Sequence, residues 1–483
     1  MRNRRQIRHR CVDALPIVLA FATTACTPTD STPMSEPLSL VNFEHLDYLG
    51  EEIALDSDTL RIIHIYADAP SYAWIGDDDE GIACVDDAAR AIIVYLKDFE
   101  LTGNRSSARK AKQLLRFILH MQTQDGLFYN FVWDSDLTIN KDHQNSVADE
   151  FSWWTSRAVW ALGQGVESLF ASDPAFALQL VEAMERTLPH LDRFLEHYGS
   201  FQKINDRNFP KWLVNGSKAN ATSEMLLGLI AYNRYQKQPA IQKMIDQFSE
   251  GIAMMQFGSI NQHPYLAHAA TENHWNGWGN SQTQALSEAG FLSSAEREAS
   301  SFYPRLLIDG WKYSFSLSDS AHVTDYPQIA YAVRVVTMGL LGLYQRTADV
   351  KYARMAGLAA SWFTGNNVAN IAMYDPLTGR GFDGINSSSS VNYNSGAEST
   401  IEALTSVQAV EQVPEARLWL YASADAPVHS TSESPEFMYR IFTSTDQSPE
   451  NKIAVYLNLS GQEFSVIDPD SLLATLKSKN QLN

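Results

Sequence analysis

An all-α ring of helical hairpins, an α/α toroid, with a small β-containing C-terminal appendix, is the fold this sequence predicts. Three observations point to it. Apolar residues recur at spacings of three and four through most of the chain between residues 40 and 415, as in amphipathic helices. One segment shows a complete repeat: a helix over 88–99, Thr102-Gly103-Asn104, a second helix from Arg105 to Gln122, then Gln124-Asp-Gly-Leu-Phe-Tyr-Asn-Phe. A weaker echo runs from Leu343 to Trp362-Phe-Thr-Gly-Asn-Asn, and no parallel-sheet pattern interrupts the series. Hairpins of about 40–60 residues closing into a ring fit the available length.

In chain order, residues 1–25 read as a signal peptide. Five Arg precede an apolar stretch over 14–22, and small residues follow it. Cys26, directly after Ala25, resembles a lipoprotein acylation site, although Thr23 stands where Leu is usual. Residues 26–40 form a polar tether rich in Pro, Ser and Thr. The helical domain then spans 41–415. Its periodic segments are 60–66, 88–99, 108–121, 158–169, 176–195, 224–232, 241–255, 276–289, 329–343, 352–363 and 397–410. After Val413 the pattern changes. Arg417-Leu-Trp-Leu-Tyr-Ala, Phe437-Met-Tyr-Arg-Ile-Phe and Ile453-Ala-Val-Tyr-Leu are rich in β-formers, so 416–483 reads as the appendix.

The 483-residue chain carries a formal charge of −19. Loss of residues 1–25 removes five Arg and one Asp, leaving 32 basic against 55 acidic residues, or −23. That balance argues against nucleic acid and anionic polymers as partners and suits a neutral substrate. Eleven Trp, 20 Tyr and 22 Phe supply flat apolar faces of the kind that stack on sugars. Cys11 lies in the signal and Cys26 at the acylation site, so Cys84 alone remains and no disulfide framework exists. No internal apolar run reaches the roughly 18 residues of a membrane span, so membrane association is expected through the lipid anchor only.

Chemistry concentrates where loops run into helices. From Tyr374 to Thr400, Asp375, Arg380, Asp383, Asn394 and Glu398 share a glycine-punctuated segment that leads into a helix. Near the start, Cys84-Val-Asp-Asp-Ala-Ala-Arg-Ala opens a strong helix after an acidic loop. Asp86 and Asp87 are candidate reacting groups with Arg90 beside them, and Asp86 is equally a candidate N-cap. Glu150, Trp153 and Arg157 fall at spacings of three and four on one expected helical face, as a sugar subsite or as a buried ion pair under Trp. Glu272, His274, Trp275 and Trp278 crowd a polar, aromatic loop before another helix. No zinc-helix spacing, nucleophile elbow, phosphate loop or dinucleotide fingerprint occurs, so neither a metal nor a cofactor is expected. In a ring of hairpins the inner helices point the same way, so these separate clusters converge on one mouth.

Two of these stretches carry a family resemblance. Val85-Asp-Asp-Ala-Ala-Arg-Ala, and Trp362-Phe-Thr-Gly-Asn with Tyr374-Asp-Pro-Leu-Thr-Gly-Arg-Gly-Phe-Asp-Gly and Asn392-Tyr-Asn-Ser-Gly-Ala-Glu-Ser-Thr, resemble a bacterial six-hairpin glycosidase-like family whose members are sometimes linked to glycosyltransferase domains. The resemblance covers roughly residues 55–412. It implies an (α/α)6 barrel and a carbohydrate ligand, and it names no substrate.

The resulting expectation is an exported glycoside hydrolase acting on a neutral glycan. Glycosidic cleavage needs a carboxylic acid at the leaving oxygen and a carboxylate across from it. Glu398 is the expected acid, with the like charge of Glu402 one turn on raising its pKa. Asp86 and Asp87 face it, Arg90, Arg380 and Asn394 orient carboxylates or hydroxyls, and Trp153, Trp275 and Trp278 stack on pyranose faces. By resemblance to helical-barrel glycosidases the outcome is inversion. The alternatives are a lipid-anchored glycan-binding protein using the same mouth and, against the charge balance, a polysaccharide lyase.

Overall fold

In the computed structural model, residues 39–483 are described apart from 56–57, 431–435, 446–450 and 480–483. The signal peptide, Cys26 and all but the end of the tether lie outside them. After a short α1 (Glu44–Tyr48), six hairpins follow: α2 (Val85–Thr102) with α3 (Arg105–His120), α4 (Trp153–Leu169) with α5 (Pro174–Leu195), α6 (Ala219–Gln236) with α7 (Pro239–Ala253), α8 (Gln282–Ala289) with α9 (Leu292–Asp309), α10 (Ala330–Thr347) with α11 (Val350–Ala360), and α12 (Ala397–Glu411) with the short α13 (Pro414–Arg417). Each first helix packs on the first helix of the next hairpin, and α12 packs back on α2. The ring is therefore closed, with α2, α4, α6, α8, α10 and α12 inside: an (α/α)6 toroid.

Burial separates the two layers. Every residue of α6 from Ala219 to Tyr232 is buried, as an inner helix enclosed on all sides requires. Outer α3 buries only one stripe, including Ala111, Leu114, Leu115 and Ile118. The inner ring is tightest between α4 and α6. A Cβ on Gly228 would lie 2.3 Å from the Val159 carbonyl oxygen, and one on Gly163 would lie 2.0 Å from that of Gly228. Only glycine permits this backbone-to-backbone approach.

Side chains mark the starts of these helices. Ser152 accepts from Thr155 N–H at α4, and Asp173 from Phe176 N–H ahead of Pro174 at α5. At α2 the cap is Cys84, whose Sγ accepts from Asp87 N–H, so Asp86 is a first-turn residue and not the N-cap. At α12 the residue before the helix is Gly396, and Asp383 reaches in from the preceding loop to accept from Gly396 N–H (3.4 Å) and Ser399 Oγ (2.7 Å).

Three local expectations change. Residues 60–66 are not helical. Asp58–Ile63 is a strand paired with Gly50–Leu55, because a short run with Thr59, Ile62, Ile63 and Ile65 suits a pleated surface better than a helix. The helix expected over 276–289 starts only at Gln282. Gly279 has φ +57°, and His274–Asn276 is a strand paired with Ser314–Ser316. Between these and α10 stands α9, which the periodicity missed because Pro304 and four serines dilute its apolar stripe.

The C-terminal region is β-containing. Phe437–Ser444 and Asn451–Asn458 form the centre of an antiparallel sheet with Ala422–Ala424, Val428–His429 and Glu463–Ile467, followed by α14 (Pro469–Ser478). The two central strands pack on α9, and Arg440 Nη1 donates to the Leu307 and Ile308 carbonyls near its end.

Candidate functional site

All six inner helices begin at the same end of the ring, so their unpaired N–H groups and partial positive charge converge there. Each contributes a polar side chain from its first or second turn. Arg90 of α2 donates to Glu398 (3.1 Å) and Glu402 (2.7 Å) of α12 and to Asp87 of its own helix (2.6 Å). Arg334 of α10 donates to the other oxygen of Glu402 (2.5 Å), to Ser281 at the start of α8 (2.9 Å) and to Glu224 of α6 (3.4 Å). Arg157 of α4 pairs with Asp86 of α2 at 2.6 Å and donates to the Tyr331 hydroxyl of α10. Tyr331 lies under all three guanidiniums, about 5 Å from each.

The network holds five carboxyl groups and three guanidiniums, graded in exposure. The side chains of Glu224, Glu402 and Asp87 are 0%, 1% and 4% exposed. Asp86 reaches 21% and Glu398 45%. Glu398 is thus closely surrounded by protein yet open to a ligand from the mouth. Burial raises its pKa, Arg90 opposes this, and the like charges of Glu402 and Asp87 add to the rise. Glu402 behaves oppositely: burial acts to raise it, but Arg334 and Arg90 hold it below the usual glutamate range. Asp87 is raised by burial against the attraction of Arg90. The Asp87 and Glu398 carboxylates bind opposite ends of one guanidinium, which places them at most roughly 8 Å apart.

Around Glu398 stand aromatic groups. Burial and the Glu398 charge raise the Tyr313 hydroxyl, and Trp278 packs edge-on against Tyr313 at 4.5 Å. Trp153 covers Arg157 at 4.9 Å. Tyr66 is 39% exposed, donates to Glu80, and its pKa is raised by burial, by Glu80 and by the nearby charge of Asp87.

The remaining candidate residues have other places. Trp275 is buried, stacked on Phe315 at 4.8 Å and edge-on to Phe302, so its faces are closed to a sugar. Glu150 precedes α4 and is exposed, bonded to Asn215. It does not share a helical face with Trp153 and Arg157, since the helix starts after it, and the partner of Arg157 is Asp86. Glu272 accepts from Gln202 at 2.6 Å. His274 is half-buried and its pKa is lowered by burial. Asp375 closes a turn through Leu377 N–H and the Thr378 hydroxyl, and Arg380 lies over the Tyr72 ring at 3.9 Å. Asn394 accepts from Ala69 N–H at 3.0 Å, joining the first loop of the mouth to the start of α12, and Asp383 serves the same helix start. Asp383 and Asn394 thus hold the start of α12 at the mouth, whereas Asp375 serves only its own turn.

The sequence reading did not single out Glu224, Arg334, Tyr331, Ser281, Tyr313 or Tyr66. A signal existed for two of them. Glu224 and Arg334 are lone charges inside otherwise apolar helices, in Thr-Ser-Glu-Met-Leu-Leu and Tyr-Ala-Val-Arg-Val-Val, and such residues are almost never buried unless paired. Among the described residues no group of three His, Cys, Asp or Glu is arranged to hold a metal ion.

No protein-family model and no curated protein matches the chain. Solved structures do. It is similar to a cellobiose 2-epimerase of Bacillus thermoamylovorans B4167, with 10% identity, TM-score 0.54, and 75% of this chain and 94% of that one covered. It is also similar to the cellobiose 2-epimerase of Spirochaeta thermophila DSM 6192, with 15% identity, TM-score 0.51, and 73% and 90% covered. At such identity the likeness establishes the six-hairpin fold.

Proposed function

We propose that the chain is an exported glycoside hydrolase acting on a neutral oligo- or polysaccharide, with Glu398 as its general acid. The observation that carries this is the contrast within the network. Of its carboxyl groups the most accessible is also one whose proton is held by burial and by like charges. A group that keeps its proton to higher pH and faces the mouth can deliver it to a leaving oxygen.

Asp86 is the second carboxylate within reach of solvent, and in this reading it activates the attacking water. Asp87 is enclosed by Arg90 and Cys84 and acts through Arg90, whose guanidinium it holds in line with Glu398. Trp278, Tyr313 and Trp153 offer ring surface for pyranose faces. The acidic mature chain favours a neutral glycan. The lipid-anchored location rests on the sequence around Cys26, and Cys26→Ser should release the protein from membranes.

A second reading has one observation in its favour. His274, next to the buried Trp275, has its pKa lowered by burial, which favours the neutral form that a base abstracting a proton beside a carbonyl needs. Both solved structures named above are cellobiose 2-epimerases, and exchange of a C–H proton beside a carbonyl calls for a base.

One assay separates these. The protein is incubated with a panel of neutral glycans, cellobiose included, in D2O and followed by proton NMR. New reducing ends that vanish in Glu398→Gln support hydrolysis. Deuterium entering C2 without new reducing ends replaces it with epimerisation. Binding without turnover of any glycan leaves a glycan-binding protein.

A further inference from the structure

The carboxylate mouth uses one end of the ring. Beneath it, towards the other end, residues of all six inner helices line a cavity of about 650 Å3. That lies within the roughly 300–1,000 Å3 range of small-molecule pockets. Its floor includes Arg334 and Trp160, so the charge network is the partition between the two ends.

The charged groups of this cavity are already matched. Arg234 lies between Glu167 (3.1 Å) and Glu288 (2.8 Å). Arg346 donates to the Ser287 and Glu288 carbonyls, and Lys97 pairs with Glu100. Arg334 is spent on Glu402 and Glu224. A charged ligand would have to break one of these pairs.

What is unspent is amide. Gln408 of α12 is only 4% exposed, and its side chain has no hydrogen-bond partner among the described residues. Gln284 of α8 is 7% exposed, donates to Glu288 at 3.1 Å, and leaves its Oε1 unpartnered. Gln284 Oε1 is enclosed as well as unpartnered, which is rare in folded proteins and costly, while the Gln408 amide opens to the cavity. They face a wall of Leu227, Met338 and Leu341. Donors and acceptors without net charge, set against apolar wall, match the hydroxyls and C–H faces of a sugar.

We propose that this far-end cavity is a second binding site, separate from the mouth, for a neutral polyhydroxylated ligand of mono- or disaccharide size. The site does not depend on catalysis at Glu398. Gln408 and Gln284 supply its polar contacts, and the aliphatic wall packs against the ring of the ligand.

The test is calorimetric titration of the full-length protein with glucose, mannose and cellobiose, repeated on Gln408→Leu, Gln284→Leu and the cavity-filling Met338→Trp. Melting curves confirm that each variant is folded. The expected result is a class of sites in the wild type that persists in Glu398→Gln. Its Kd rises about tenfold in each glutamine variant, and it disappears in Met338→Trp. Identical titrations for wild type and all three folded variants overturn the proposal, as does failure of every sugar to bind. Competition by inorganic phosphate also overturns it, because the site would then select charge.

Discussion

Replacing Glu402 by Gln removes one negative charge from the centre of the ring and nearly preserves shape. In the wild type both oxygens of Glu402 are occupied, one by Arg90 at 2.7 Å and the other by Arg334 at 2.5 Å, with all three side chains at most 4% exposed. The amide keeps one acceptor, so one guanidinium loses one of its contacts and both lose the charge, while Arg90 keeps Asp87 and Glu398 and Arg334 keeps Glu224 and Ser281. Because both guanidiniums keep other carboxylate partners, the loss is that of one charged hydrogen bond, about 1.5–3 kcal/mol. For a unit spanning Ser39–Asn483, the entropy of unfolding makes each kcal/mol worth about 1 °C, so the melting temperature should fall by about 1.5–3 °C. The sign with pH is fixed. The folded pKa of Glu402 lies below its ordinary 4.5, so its contribution is present above that value and is lost as pH falls through the lowered folded pKa. The gap in melting temperature between wild type and variant should therefore be full near neutrality and shrink in acid. The same change acts on Glu398. With Glu402 neutral, the like charge is gone and Arg90 is free to turn to Glu398, so the Glu398 pKa falls and the alkaline limb of kcat/KM moves to lower pH. Calorimetry across pH and a pH–rate profile read the two effects. A loss below about 0.5 kcal/mol, or an unmoved alkaline limb, would refute the network as described.

Glu398→Gln should lower turnover about 10²- to 10⁴-fold and abolish the alkaline limb, with melting little changed because the side chain is 45% exposed; pH–rate profiles and melting curves check both. Asp86→Asn should lower turnover about 10²- to 10⁴-fold in the hydrolysis assay, whereas Asp87→Asn should chiefly lower the melting temperature, since Asp87 is enclosed against Arg90 at 2.6 Å. Gly228→Ala should destabilise by about 1–3 kcal/mol, measured by denaturant unfolding, despite the roughly 1 kcal/mol Ala gains over Gly in a helix. Its Cβ meets the Val159 carbonyl, and backbone in two inner helices cannot turn aside.

The ring was legible because hairpins of this kind write their period into the chain. Helices such as α3 carry a single apolar stripe, and α2 ends at Gly103 in the left-handed region, as a helix stop should. Legibility failed where local and tertiary preferences part. Residues 60–66 hold enough apolar groups for either period, and pairing with Gly50–Leu55 decided for strand. In α9, Pro304 and its serines are tolerated because the helix is fixed by packing against α8 and the C-terminal sheet, a contact between residues more than a hundred positions apart.

The site divides along the same line. First-turn residues such as Asp86, Asp87 and Glu398 announce themselves beside loops that break periodicity, and Arg90 follows Asp87 by three residues. Arguments from a shared helical face failed for Glu150 because they presume where the helix starts. Second-turn residues such as Glu224 and Arg334 sit inside apolar runs, where spacing says only that they are buried. Yet they explain why Glu398 differs from its neighbours. Five carboxyl groups against three guanidiniums leave an excess of negative charge, which the converging helix N-termini offset only in part. The proton that relieves it cannot rest on Glu402, which two guanidiniums hold ionised. It rests more readily on Asp87 or Glu398, the two whose pKa values rise, and of these only Glu398 opens to the mouth. The buried arginines therefore do more than bind the helices together. By fixing the charge on Glu402 they leave the proton to Asp87 and Glu398, of which Glu398 is the one a ligand can touch.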